Sequence, residues 1–345
     1  MGQALYSPWP HAARRTYGLG AIGLVILGYF ASALPLVIGV SVWSIMSGRL
    51  EAGPESIEAG LQSNTLSVLM PLLLLQFIMW SVITLVWAFA FERRDLGSMG
   101  MRLSAWTLPR YALGLFLGLG MLVVIGLGTA ALGAFGQGGG EAVDPPSTQA
   151  IEAALARPGV VAGLGFAVLV FLIQGGSEEV VFRGWLMSTL SARWGVRAGV
   201  IVSSAIFASV HLHVFASGLW FGIAALTGIG MAGLVFALLA LLTRSIWEAV
   251  AAHGAFNAAA VAGPTLAALA ADPELTIEAA FAVVFTSATG QAGPDAVAQG
   301  LTIWGQAIAG GAMAAALVLA LVMLGRKARA WKAEMAVDPS NAEGT

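Results

Sequence analysis

The sequence predicts an all-α, polytopic membrane protein: a bundle of about eight transmembrane helices with both termini in the cytoplasm. Three observations carry this expectation. The chain has 345 residues, of which 58% are hydrophobic and only 10% charged, where soluble domains carry about 25% charged residues. Eight apolar segments approach the roughly 20 residues that a helix needs to cross a bilayer, and none shows the alternation of a barrel strand. Finally, the basic residues are lopsided. With the N-terminus inside and eight spans, only Arg49 and Arg157 of the 16 lysines and arginines fall on the outer side.

The first segment, 19–45, follows Arg14 and Arg15 and runs on past an Ala-Ser-Ala triplet, so it reads as a retained helix rather than a cleaved signal. The second and third occupy 66–91 and 111–135. Between them ERRDLGSMGMRLSAW reads as a surface turn and a short interfacial helix on the inner side. The fourth to seventh segments are 160–176, 198–215, 218–242 and 246–264, and the eighth is 301–324. Acidic, breaker-rich stretches at 49–60, 136–148 and 271–300 read as outer connectors. Several tryptophans fall near span ends, as interface anchors do. No internal repeat and no soluble domain is evident. The organisation expected is helices 1–3 over residues 1–150, a polar-residue-bearing core over 151–268, and an outer loop, last helix and tail over 269–345.

Composition also excludes. A net charge of −2 argues against a nucleic-acid partner. The absence of cysteine removes disulfides, thiolate metal sites and a cysteine nucleophile. The partners expected are membrane lipid and a membrane-associated peptide or protein.

Three polar clusters interrupt the apolar spans, and charges in such surroundings are costly unless paired or functional. In GGSEEVVFRGW, Glu179 and Arg183 are four residues apart and can pair on one helix face, while Glu178 points about 100° away. A helix-end ion pair with a solvated Glu178 is the plain structural reading. In FASVHLH, His211 shares a face with Phe207; His213 points elsewhere and reads as a helix-helix hydrogen bond. In HGAFN, His253 and Asn257 share a face and can aim at one point. Glu248, five residues earlier, is expected at the interface. Together, a glutamate, two histidines and an asparagine from three helices can serve one polar pocket.

These residues carry a family resemblance. Glu178-Glu179-x-x-x-Arg183, Phe207-x-x-x-His211 and His253-x-x-x-Asn257, in this order on successive helices, resemble the three motifs of the CPBP family, which contains the type II CAAX prenyl proteases and bacteriocin-processing or immunity proteins. The resemblance covers roughly 160–265; the first three helices resemble nothing specific. It implies an intramembrane endopeptidase of the cell membrane in which Glu178 and His211 activate water, His253 and Asn257 stabilise the oxyanion, and Arg183 orients Glu179. A divalent metal such as zinc is implied by the metalloprotease label often given to the family, and Glu178, His211 and His253 would be its ligands; a glutamate-histidine mechanism needs none. A proton-coupled transporter and a non-catalytic immunity or scaffold protein are the rival readings. Straight helices leave Glu178 shallow and His211 deep, so either the fifth helix begins well inside the cytoplasm or the segment 175–185 dips back into the bundle, a bend that Gly175, Gly176 and Gly184 are expected to permit.

Overall fold

The computed structural model describes residues 5–135 and 146–288, whose regular structure is all helical, without a strand. The eighth expected segment, 301–324, and the glycine-rich loop at 137–140 lie outside the described residues. Within them, six helical stretches are long and apolar enough to cross a membrane.

The first stretch consists of α1 (Gly18–Ser32) and α2 (Leu34–Met46), broken where Pro35 removes a backbone donor. A short α3 (Pro54–Ser63) follows, then α4 (Met70–Val86), extended at either end by a turn of π-helix at Thr65–Leu69 and Trp87–Phe91. Helix α5 (Thr107–Phe135) is the third span, and α6 (Thr148–Leu155) is a short connector whose first turn is capped by the Ser147 hydroxyl.

The fourth stretch is the longest, 35 residues from Val160 to Trp194. It comprises α7 (Val160–Glu179), a π-helical segment Val180–Met187, and α8 (Ser188–Trp194). Gly195, at φ 87°, then reverses the chain into α9 (Val196–Ser209). At 14 residues α9 is shorter than its hydropathy suggested, and residues 212–217 continue it as a 3-10 turn. Helices α10 (Leu219–Thr243) and α11 (Trp247–Ala271) are the last two long spans among the described residues. A short α12 (Ile277–Ala288) occupies what reads in sequence as a plain connector.

Helix α11 is the hub, packed between α5 and α7. Lipid tails offer no hydrophobic drive for helices to associate, so close packing has to supply it. Small residues make that packing: a Cβ on Gly118 would meet the Ala252 carbonyl oxygen, and one on Gly114 would meet that of Glu248. Conversely, Leu27, Phe30, Val37 and Phe116 lie exposed on the outside of the spans, as lipid-facing side chains do.

Two stretches expected at the surface are buried instead. In the α4–α5 connection, Glu92 and Arg94 are inside. Arg94 donates to Ser98, Ser188 and Thr189 and lies over Trp9, while the Trp185 indole donates to Glu92 at 2.7 Å. Burial pulls the Arg94 guanidinium down to about 10 although Glu92 acts in the opposite direction. Likewise Glu248 is 1% exposed, held by Arg110 at 3.3 Å and the Thr243 hydroxyl at 3.2 Å. For Glu248 the compensating cation, Arg110, is remote in sequence, whereas Arg94 has Glu92 at 3.7 Å two residues away besides its remote partners Ser188 and Thr189.

Candidate active site

The site forms where α7 and α11 cross. Gly175 and Gly254 lie back to back: a Cβ on Gly175 would stand 2.7 Å from the Gly254 nitrogen, and one on Gly254 would stand 2.9 Å from Leu172 Cα. Only glycine permits this approach. It sets the register of the antiparallel pair, because polar side chains four residues apart on each helix then meet in two rungs. Gln174 meets Asn257, whose Nδ2 donates to Gln174 Oε1 at 2.8 Å. One turn on, Glu178 meets His253, with Nε2 at 3.5 Å from Oε2.

Behind this second rung stands Glu179. His253 Nδ1 donates to Glu179 Oε1 at 2.9 Å, and Arg183 donates to the same oxygen, also at 2.9 Å. The expected i, i+4 pair is therefore present, but Glu179 also fixes the imidazole. A carboxylate accepting from Nδ1 places a proton there and turns Nε2 toward Glu178. All four groups are buried, at 2% exposure for Glu178, 0% for Glu179 and Arg183 and 4% for His253. Glu178 Oε2 and Glu179 Oε2 accept no hydrogen bond among the described residues.

Arg183 lies within the π-helical segment, whose wider turn is a common device at functional sites. Its second arm donates to the Gly233 carbonyl on α10 at 2.7 Å. The guanidinium also sits 4.5 Å from the Phe207 ring centroid. Aromatic rings wall the pocket: Phe236 stacks on His253 at 4.6 Å, Phe207 meets it edge-on at 5.7 Å, and Phe182 and Trp80 continue the row. Such walls lower the local dielectric and strengthen the charge pairs they enclose.

The depth mismatch expected from straight helices disappears, though not through a bend. Helix α7 continues unbroken past Gly175 and Gly176 to Glu179 and onward through the π segment. Glu178 and His211 lie 16 residues on either side of the Trp194–Gly195 turn, so the hairpin carries both to a similar level. Phe182 and Phe207, each 12 residues from that turn, confirm the pairing with ring centroids 5.2 Å apart.

His211 sits just beyond the end of α9. Its Nδ1 donates to the Phe207 carbonyl at 2.9 Å, which leaves Nε2 as the lone-pair nitrogen. It reaches the rungs through Phe207, whose ring touches both histidines. His213 is exposed in the following 3-10 turn, not at a helix-helix contact. The metal set expected from sequence, Glu178, His211 and His253, is not assembled. Among the described residues no three His, Asp or Glu side chains gather where one ion could bind them, and both nitrogens of His253 already face carboxylates. The donors as arranged do not fit a metal.

Sequence reasoning missed Gln174, although its place one turn before Glu178 in an apolar run was a signal. It also missed the N-terminal half of the chain. Ser81 of α4 donates to the Ser177 carbonyl at 3.1 Å. Tyr6 is buried and its hydroxyl donates to the Arg183 carbonyl at 2.9 Å, while Arg244 reaches back to the Tyr6 carbonyl. Burial, with Glu179 adding to it, holds the Tyr6 phenol above its ordinary value.

Residues 160–259 match the family of type II CAAX prenyl endopeptidases, Rce1-like. This segment contains both rungs, Arg183 and His211. No curated protein and no solved structure matches the chain.

Proposed function

We propose, from the premise that residues 160–259 are an Rce1-like segment of the CPBP family of membrane proteases, that this integral membrane protein is an intramembrane endopeptidase of the glutamate-histidine type. The observation that carries the reading is the buried Glu178–His253 rung, with Glu179 and Arg183 behind it. Glu178 has an unpartnered oxygen beside an imidazole of fixed tautomer. A carboxylate in such surroundings is a competent general base.

In this mechanism Glu178 takes a proton from water as the water oxygen bonds to the scissile carbonyl carbon. The carbonyl becomes an oxyanion, for which Asn257 supplies an N–H. When the C–N bond breaks, the proton held on Glu178 passes to the leaving amine nitrogen. His253, with its proton held on Nδ1 by Glu179, presents Nε2 as an acceptor to an O–H of the attacking water, while Glu179 and Arg183 hold its ring. His211, with a lone pair on Nε2, receives a hydrogen bond from the water or the substrate amide. No step passes through a metal.

The substrate class is a peptide bond in a membrane-associated protein or peptide, either a CAAX-type C-terminus or a peptide precursor. The test compares membranes from cells carrying wild type and Glu178→Gln at equal abundance, by quantitative mapping of peptide termini. Termini present with wild type and absent with Glu178→Gln establish the peptidase and name its substrate. Identical termini, with a deletion phenotype that Glu178→Gln does not share, would replace this reading with a scaffold role.

A further inference from the structure

We infer that Gln174 is a positioning residue for Asn257, fixing which end of its amide faces the oxyanion. The inference rests on the endopeptidase reading, but its evidence is separate. Gln174 is the only polar side chain from Val160 to Gly176, and an unpartnered amide in such a helix costs several kcal/mol. Its partner is Asn257, at 2.8 Å across the glycine crossing. The terminal torsion of an asparagine is broad and roughly two-fold, so the amide alone has little preference for nitrogen over oxygen on a given side. Gln174 couples the two amides, and with its Oε1 turned toward Asn257 it selects the orientation that puts Nδ2 on its side. Its carbonyl oxygen accepts one Asn257 N–H and so keeps Nδ2 on the α7 side, one turn from Glu178, where the second N–H is available to a developing oxyanion.

The same register makes the two rungs interdependent. Gln174 and Glu178 share one face of α7, and Asn257 and His253 share one face of α11. A base on one rung and an oxyanion donor on the next are thereby held at a fixed separation by backbone geometry. Loss of an oxyanion donor reduces turnover by about 100-fold or more. Loss of its aim, with the donor still present, should cost a fraction of that, about tenfold.

The test measures initial rates of appearance of the Glu178-dependent termini in isolated membranes, at equal protein abundance. Gln174→Met keeps the volume and removes the acceptor; it should slow cleavage about tenfold. Asn257→Ala should slow it about 100-fold, and Gln174→Met added to Asn257→Ala should slow it no further. The exchange Gln174→Asn with Asn257→Gln moves one methylene across the rung and should recover most of the rate. A wild-type rate for Gln174→Met, or effects that multiply in the double variant, would overturn the inference. So would a wild-type rate for Asn257→Ala while Glu178→Gln is silent, and in that case the endopeptidase reading stands. If no terminus depends on Glu178, both readings fall together. Should Gln174→Met not accumulate, the exchange variant decides: recovery supports the inference, and a rate as low as that of Asn257→Ala overturns it.

Discussion

Adding one methyl group at Gly175 should disable the site without touching any of its polar residues. The Cβ of Gly175→Ala would lie 2.7 Å from the Gly254 nitrogen and 2.9 Å from its Cα. Both are backbone atoms, so no rotamer change can relieve the clash. Ordinary contact begins at 3.4 Å, which requires α7 and α11 to part by the difference, about 0.7 Å. Applied to the 2.9 Å bond between His253 and Glu179, that shift gives about 3.6 Å, beyond hydrogen-bond range. Overpacking of this kind costs about 1–3 kcal/mol, and a displacement near 1 Å costs about 100-fold in rate. The expected result is therefore a protein that still inserts and accumulates, melts somewhat lower in detergent, and forms Glu178-dependent termini roughly 10- to 100-fold more slowly. Gly165→Ala is the control, since it lies on the same helix with nothing within 4 Å of its Cβ, and it should behave as wild type. A wild-type rate for Gly175→Ala, or an equal loss in Gly165→Ala, would refute the claim that the glycine crossing sets the register.

Other perturbations separate structural from chemical roles. Arg183→Met leaves Glu179 buried beside His253 without its cation, and breaking such a pair costs about 3–5 kcal/mol; the detergent-solubilised protein should melt far lower, and Arg183→Lys should not restore it, because lysine cannot span both Glu179 and the Gly233 carbonyl. Tyr6→Phe removes only the donor to the Arg183 carbonyl and should lower stability by about 1 kcal/mol, with cleavage kept within a few-fold of wild type. Arg110→Ala strips Glu248 of its cation; because Arg110 is partly exposed, the loss should be about 1 kcal/mol, and adding Glu248→Gln should recover part of it, as a thermal-melt double-mutant cycle would read.

What the sequence disclosed follows from what a single helix can encode. Hydropathy located the long spans, and i, i+4 spacing was sufficient to pair Glu179 with Arg183, because both are properties of one helix. Which helices face each other is not such a property. Gln174 and Asn257 are 83 residues apart, and Glu92 and Trp185 are 93 apart; the first pairing depends on a register set by Gly175 and Gly254, which in sequence look like any other small residues in a membrane helix. For the same reason Glu248 and Arg94 read as surface charges when their burial is compensated from elsewhere. The depth of His211 does not follow from hydropathy, which ends the fourth span at Gly176, whereas the helix runs on to Trp194 through a π-helical segment that carries Arg183.

The division of labour between the adjacent carboxylates is the centre of this account, and one paired measurement on Glu178→Gln tests it most directly. Cleavage rate and melting temperature would be read on the same purified, membrane-reconstituted protein, with a peptide spanning a bond mapped by the termini comparison. Glu178 Oε2 makes no hydrogen bond and only the 3.5 Å contact with His253 Nε2, so the account predicts cleavage abolished with the melting temperature little changed. Cleavage retained in Glu178→Gln, at any melting temperature, would contradict it.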